Sequence, residues 1–206
     1  MGNLSPATRR SSPITGVILA GGLGRRMGRV DKGLRDLRGK PLVQWVIERF
    51  APQVDELLIN ANQNLETYAR FGYRVIPDAI DGFAGPLAGL QRGMAEARHD
   101  LIATVPCDSP FLPSDLVARL SSEREQHGAD IAVAKTGDQP HPVFCLCRKS
   151  LLHGLTAFLS GGGRKIDAWY ATLSVVEVLF DDEAAAFSNI NTREELQSFE
   201  TDAERG

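Results

Sequence analysis

The stretch Ile18-Leu19-Ala20-Gly21-Gly22-Leu23-Gly24-Arg25-Arg26-Met27-Gly28-Arg29-Val30-Asp31-Lys32-Gly33 closes the first apolar segment of the chain and decides how the rest is read. Its glycines let backbone N–H groups approach anionic oxygens closely, and Arg25, Arg26 and Lys32 bring countercharge into the same loop. That pairing suits a triphosphate. A Rossmann turn would enter a helix at once, whereas Gly28, Val30 and Gly33 keep this segment irregular for about ten residues. The Gly-Lys-Ser/Thr ending of a P-loop is also missing from it. A purely structural glycine loop is the alternative, and it gives no reason for arginines and a lysine to be interleaved with the glycines.

Outward from this loop the chain alternates. Ile14 to Ala20 reads as a buried strand, and Pro41 opens a helix in which Leu42, Trp45, Val46, Arg49 and Phe50 recur at helical spacing until Pro52. Glu56 to Ala61 is a strand, Asn64 caps a short helix ending near Gly72, and Tyr73 to Ile76 is a third strand running into Pro77-Asp78. Gly85-Pro86 starts a helix to about Arg98, Leu101 to Pro106 is a strand, and Ser114 caps the following helix. Asp130 to Ala134 and Val143 to Cys147 are strands around a loop from Thr136 to Pro142, which breaks the βα alternation and predicts an inserted, hairpin-like region. Helices over Leu151–Leu159 and Lys165–Thr172 flank the loop Gly161–Gly163, Ser174 to Phe180 is the last strand, and Thr192-Arg193-Glu194-Glu195 is a capping box opening a terminal helix. The expected fold is α/β: a three-layer αβα sandwich on a Rossmann-like, mainly parallel mixed sheet.

The 206 residues, 43% of them hydrophobic, fit a single domain over 14–200, with a polar tail at 1–13 expected to be disordered and a short C-terminal tail at 201–206. A net charge of −3 without a basic stripe argues against nucleic acid as a partner, and no apolar run approaches the roughly 18 residues that span a bilayer, so no membrane partner is expected. Cys107, Cys145 and Cys147 sit in apolar surroundings as an odd set, which predicts reduced, buried thiols and a cytoplasmic location.

In such a sheet, ligands lie beyond the carboxyl ends of the strands. The residues placed there are the Gly-rich loop, Asn60, Asp78, Asp108 and the segment Asn189–Asn191. Asp108 suits Mg²⁺, which takes oxygen donors and commonly uses one or two carboxylates plus substrate phosphates; a turn or capping aspartate explains the residue type but not its coincidence with a phosphate loop, which favours the metal. Lys32 is suited to stabilising charge on the oxygens of an α-phosphate. Asn60 and Asp78 read either as turn residues or as contacts to base or ribose. His141, held between Pro140 and Pro142 in an extended loop, reads either as a surface imidazole or as a contact to a second substrate.

These residues resemble the molybdenum cofactor guanylyltransferase family, within the nucleotide-diphospho-sugar transferase-like nucleotidyltransferases of the glycosyltransferase-A-like fold. The resemblance runs from Ile14 to Phe199. It is carried by Leu19-Ala20-Gly21-Gly22, Arg26-Met27-Gly28, Asp31-Lys32-Gly33-Leu34, Gly39-Lys40-Pro41-Leu42, Asn60-Ala61-Asn62, Pro77-Asp78, Gly85-Pro86-Leu87-Ala88-Gly89, Pro106-Cys107-Asp108-Ser109-Pro110, His141-Pro142 and Asn189-Ile190-Asn191-Thr192. It implies that GTP is held by Leu19, Ala20, Gly21, Gly22 and Arg25 with Lys32, Asn60, Asp78 and Asp108, the last also binding Mg²⁺, and that Lys32, Asp108 and Arg26 carry the chemistry. The implied reaction joins GMP to the terminal phosphate of molybdopterin, or of the molybdenum cofactor, and releases pyrophosphate. Asn189 and Asn191 match pterin-side asparagines of the family, and Arg164, Lys165 and His141 are further candidates on that side. Molybdenum-insertion and molybdoenzyme-maturation proteins are the implied protein partners. A cytidylyltransferase making the sister dinucleotide, a sugar-1-phosphate nucleotidyltransferase and a non-catalytic nucleotide-binding domain are the competing readings; retention of both Lys32 and Asp108 argues against the last.

Overall fold

The computed structural model describes residues 12–22, 31–80 and 85–187. Along the chain run β1 (Ile14–Leu19), a 3-10 turn (Lys32–Leu34), β2 (Asp36–Leu37), β3 (Lys40–Pro41), α1 (Leu42–Phe50) and a second 3-10 turn (Ala51–Gln53). Then come β4 (Glu56–Asn60), α2 (Leu65–Ala69), β5 (Arg74–Ile76), α3 (Pro86–Glu96), β6 (Leu101–Pro106) and α4 (Leu116–Gln126). The last group is β7 (Ile131–Thr136), β8 (Gln139–Arg148), α5 (Leu152–Ser160), α6 (Ile166–Tyr170), β9 (Val175–Leu179) and a 3-10 stretch (Asp181–Phe187).

Seven strands form one sheet in the order β5-β4-β1-β6-β8-β7-β9. β1 pairs in parallel with β4 and with β6, β5 with β4, and β9 with β7, while β8 runs antiparallel to both of its neighbours. The chain therefore steps outward from β1 to β4 and β5, then returns to place β6 on the other side of β1. That reversal opens a crevice at the carboxyl ends of β1 and β6, where ligands bind in sheets of this kind.

Side-chain alternation along β1 sorts the core into two layers. Ile14, Ile18 and Ala20 join the cluster of Val43, Val46, Ile47 and Phe50 of α1 with Leu116, Val117 and Leu120 of α4. Val17 points the other way, into the cluster holding Leu87, Leu90 and Met94 of α3, Leu155 and Leu159 of α5 and Trp169 and Tyr170 of α6. The expected mixed, mainly parallel sheet between helical layers is the observed architecture.

Three local expectations are corrected. The loop expected over Thr136–Pro142 is a turn at Gly137-Asp138, after which β8 begins at Gln139, with Pro140 opposite Lys135 and His141 opposite Ala134. Proline is tolerated there because β6 pairs with β8 only as far as Thr104 opposite Cys145, leaving no ladder partner waiting on that side. Ser114 does not cap α4: the N-cap position is Asp115, without a side-chain bond, and the orphan N–H of Val117 is taken by Gln53 Oε1 at 3.0 Å. Asn64 stands at the N-cap position of α2, yet its side chain makes no capping bond. The short β2–β3 pair was not anticipated. The expected terminal helix from Thr192 and both tails, apart from Ser12 and Pro13, lie outside the described residues.

Gln53 joins three segments, since its Nε2 also donates to Arg49 O at 2.9 Å and Pro113 O at 2.8 Å. Truncating this buried amide strands a donor and acceptors in the core, so Gln53→Ala should lower unfolding free energy by roughly 1–3 kcal/mol. Urea unfolding measures it, and an unchanged midpoint would contradict the capping role.

Candidate functional site

Parallel ladders continue past the strand ends and lock three candidate segments side by side. Ala20 N donates to Asn60 O at 2.8 Å and Cys107 N to Leu19 O at 3.2 Å, so the residues after β1, β4 and β6 share one edge of the sheet. Across that edge Lys32 Nζ meets Asp108 Oδ2 at 3.1 Å. The two come from positions 76 residues apart. Asp108 is nearly buried and Lys32 is half-exposed, an arrangement that leaves the ammonium accessible to a second anion.

Lys32 is brought there by its neighbours. Asp31 caps the 3-10 turn by accepting from Gly33 N at 3.2 Å, and Gly33 is buried against the β6 terminus. A Cβ at Gly33 would press on the Tyr68 hydroxyl and come within 3.1 Å of Cys107 Sγ, so only glycine lets the turn lie this close to the segment carrying Asp108. Complete burial pushes the Cys107 thiol well above its ordinary range, with the carboxylates of Asp108 and Asp31 adding to the effect. The thiol stays protonated and is no nucleophile.

On the other side of β1, amides arrange a carboxylate. Asn60 Nδ2 donates to Asp78 Oδ1 at 2.8 Å and to Ile76 O at 3.1 Å. Asn62 Nδ2 donates to Asp78 Oδ2 at 2.8 Å and to Gly21 O at 3.2 Å, while its Oδ1 accepts from Asp78 N at 2.8 Å. Both oxygens of Asp78 are thus oriented, and the glycine loop is tied to them. Asn62 was not among the expected site residues; its spacing of two from Asn60, which puts both side chains on one side of extended chain, was the available signal. Gly89 of α3 packs so closely that a Cβ there would overlap Asn60 Oδ1.

The remaining candidates fall into two groups. Arg25, Arg26, Asn189 and Asn191 lie outside the described residues. His141 sits within β8, a correction to its expected place in a loop, because the chain pairs immediately after the turn at Gly137. Its Nε2 lies 2.7 Å from Thr136 Oγ1 and its ring stacks on Phe187 at 4.7 Å. Arg164 is turned onto its own segment, donating to Leu159 O at 2.8 Å and Gly163 O at 2.6 Å, and Lys165 occupies the N-cap position of α6 on the surface.

No group of three or more His, Cys, Asp or Glu side chains gathers to hold a metal among the described residues. The donor set still fits Mg²⁺, which keeps waters and takes one or two carboxylates together with substrate phosphates; Asp108, at the crevice and beside a lysine, is the carboxylate available for it.

The sequence model of the MobA-like NTP transferase domain matches residues 16–175. The chain is 53% identical over 193 residues to a molybdenum cofactor guanylyltransferase of Cupriavidus necator, covering 91% of this chain and 96% of that protein. The chain belongs to the molybdenum cofactor guanylyltransferase family. A second member of that family, from Shewanella putrefaciens, is 50% identical over 189 residues, covering 92% of this chain and 97% of its own. Among solved structures, the molybdopterin-guanine dinucleotide biosynthesis protein A of Archaeoglobus fulgidus superposes with a TM-score of 0.79 at 27% identity, over 93% of this chain and all of its own. A CMP:2-keto-3-deoxy-manno-octonic acid synthetase complexed with CTP, at 15% identity and a TM-score of 0.68, shares the fold. No helix among the described residues of this guanylyltransferase-family chain is long and apolar enough to cross a membrane.

Two predictions come from this geometry. Gly89→Ala should collide with Asn60 Oδ1 and lower the thermal midpoint; an unchanged midpoint in thermal unfolding would contradict the close packing. Burial pushes the His141 imidazole below its ordinary value of 6.5. Its neutral form therefore supports stability fully above that value, and the contribution is lost as pH falls through it. Between about pH 7 and about pH 5 the native chain should lose stability that His141→Phe does not lose; parallel losses in denaturant titrations would contradict this.

Proposed function

We propose that the crevice between the ends of β1 and β6 transfers GMP from GTP to the terminal phosphate of molybdopterin or of its molybdenum-loaded form, giving the guanine dinucleotide and pyrophosphate. The observation that carries the reading is the meeting of Lys32 with Asp108 at the sheet's reversal point, in a chain of this family.

Leu19, Ala20, Gly21 and Gly22 present main chain to the triphosphate, and Arg25 and Arg26 supply charge to its tail. Asn60 and Asp78, already oriented by one another and by Asn62, take the nucleoside end. An acceptor phosphate oxygen forms a bond to the α-phosphorus as the bond from that phosphorus to the bridging oxygen of pyrophosphate breaks. The attacking oxygen is ionised at neutral pH, so no general base is needed; alignment and charge neutralisation carry the rate. Lys32 exchanges one anion for another when the triphosphate enters, leaving Asp108 for an α-phosphate oxygen. Asp108 would hold Mg²⁺, which when bound would act as a Lewis acid and offset charge on the transferring group and on pyrophosphate.

Asn189, Asn191, His141, Arg164 and Lys165 are the candidates for holding the acceptor. Three buried free thiols fit a cytoplasmic setting, and molybdenum-insertion and molybdoenzyme-maturation proteins are the partners expected to hand over the acceptor and receive the product.

Pyrophosphate release from GTP, Mg²⁺ and molybdopterin tests the reading. Asp108→Asn and Lys32→Met should each lower kcat by about a hundredfold or more while the chain stays folded. Chelation should stop turnover and Mg²⁺ restore it. Full activity in Asp108→Asn would remove the metal assignment, and a preference for CTP would favour the sister cytidylyltransferase.

A further inference from the structure

Lys32 does not reach Asp108 unaided. Its preceding residue, Asp31, is gripped by the short helix α2: Tyr68 donates its hydroxyl to Asp31 Oδ1 at 2.6 Å, and Asn64 Nδ2 donates to Asp31 Oδ2 at 3.0 Å. Together with Gly33 N, at 3.2 Å from Oδ1, these donors fix both oxygens of the carboxylate.

Two features mark this grip as more than routine packing. Asn64 stands at φ 52°, a left-handed backbone that asparagine adopts more readily than most residues other than glycine, in the N-cap position of α2. An asparagine there ordinarily turns its side chain onto the helix's own first N–H groups. Here it makes no capping bond and reaches across to Asp31 instead, so the helix forgoes local stabilisation for a contact 33 residues away. Tyr68 is completely buried, and burial, with the negative charge of Asp31 adding to it, pushes the phenol far above its ordinary value. It remains a hydrogen-bond donor throughout the working pH range. The same hydroxyl lies against Gly33, on the far side of Lys32 from Asp31.

We propose that Tyr68 and Asn64 are positioning residues for nucleotidyl transfer: by clamping Asp31 they fix the 3-10 turn from which Lys32 reaches the reacting phosphate beside Asp108. The inference rests on the role of Lys32 given under the proposed function. Neither residue touches substrate. Both act on the rate through the direction in which one lysine points.

The test is a kinetic double-mutant cycle on the full chain, with GTP, Mg²⁺ and molybdopterin as substrates. Tyr68→Phe removes the donor while keeping the ring, and Asn64→Gly removes the amide while relaxing the left-handed backbone. Each should lower kcat about tenfold, the loss of one hydrogen bond to a charged group, with KM for GTP changed far less. Asn64→Gly should do so without lowering the thermal midpoint, which a merely structural role would not allow. In the Lys32→Met background neither change should reduce kcat further, because the lysine they aim is gone. Equal losses with and without Lys32, or kcat unchanged in Asn64→Gly, would overturn the proposal even if Tyr68→Phe fails to fold. A fully active Lys32→Met would instead overturn the assignment of Lys32, a separate outcome that the same cycle identifies.

Discussion

An ammonium and a carboxylate contributed by segments 76 residues apart meet at 3.1 Å where two parallel strands end, and the rest of the site is arranged around that meeting. Its contribution to stability is small: the lysine side chain is 36% exposed, and ion pairs in contact with water contribute about 0–1 kcal/mol. Asp108 is different, since a nearly buried carboxylate left unpaired is strongly disfavoured. The carboxylate is therefore better held with a cation beside it. Lys32 serves in the free protein, and in the proposed reaction Asp108 would hold a divalent ion once the lysine moves to phosphate.

Strand order gives that pair its surroundings. The reversal of the chain at β1 leaves β4 and β5 on one side of the crevice and β6 and β8 on the other. On the β4 side the amides of Asn60 and Asn62 hold Asp78, and on the β6 side Asp108 faces Lys32. In the proposed reaction this separates the nucleoside end of GTP from the acceptor, with the transferred phosphorus between them. The antiparallel β8 widens the sheet beyond β6 without adding another crossover helix, so the far side of β6 is completed by the β7–β8 hairpin, β9 and the 3-10 stretch at Asp181–Phe187.

Much of this was legible in the residues themselves. Leu101–Pro106 is a strand with the bounds its apolar run implies, and β1, β4 and β9 differ from expectation by a residue or so at their ends, because buried parallel strands are short apolar segments stopped by polar residues, glycine or proline. Lys32 and Asp108 were identifiable for the same reason: each belongs to a segment that follows such a strand. What escaped the sequence depends on distant partners. Gln53 caps α4 from 64 residues away, displacing the expectation for Ser114, and Asn64 turns to Asp31 in place of its own helix. The two-residue strands β2 and β3 are too short to have a period, and Pro140 and Pro142 disguise a strand as a loop. Tyr68 reads as an ordinary core aromatic until the chain brings its hydroxyl to a carboxylate 37 residues earlier.

Crystals of the chain grown with Mn²⁺ and a GTP analogue that cannot be cleaved between its α- and β-phosphates would test the central claim most directly, through the anomalous signal of the metal. The account predicts a peak bonded to the Asp108 carboxylate, with an α-phosphate oxygen on the same ion and the Lys32 ammonium turned from Asp108 to the phosphate. A triphosphate bound elsewhere, or Lys32 still seated on Asp108 with the nucleotide in place, would contradict it.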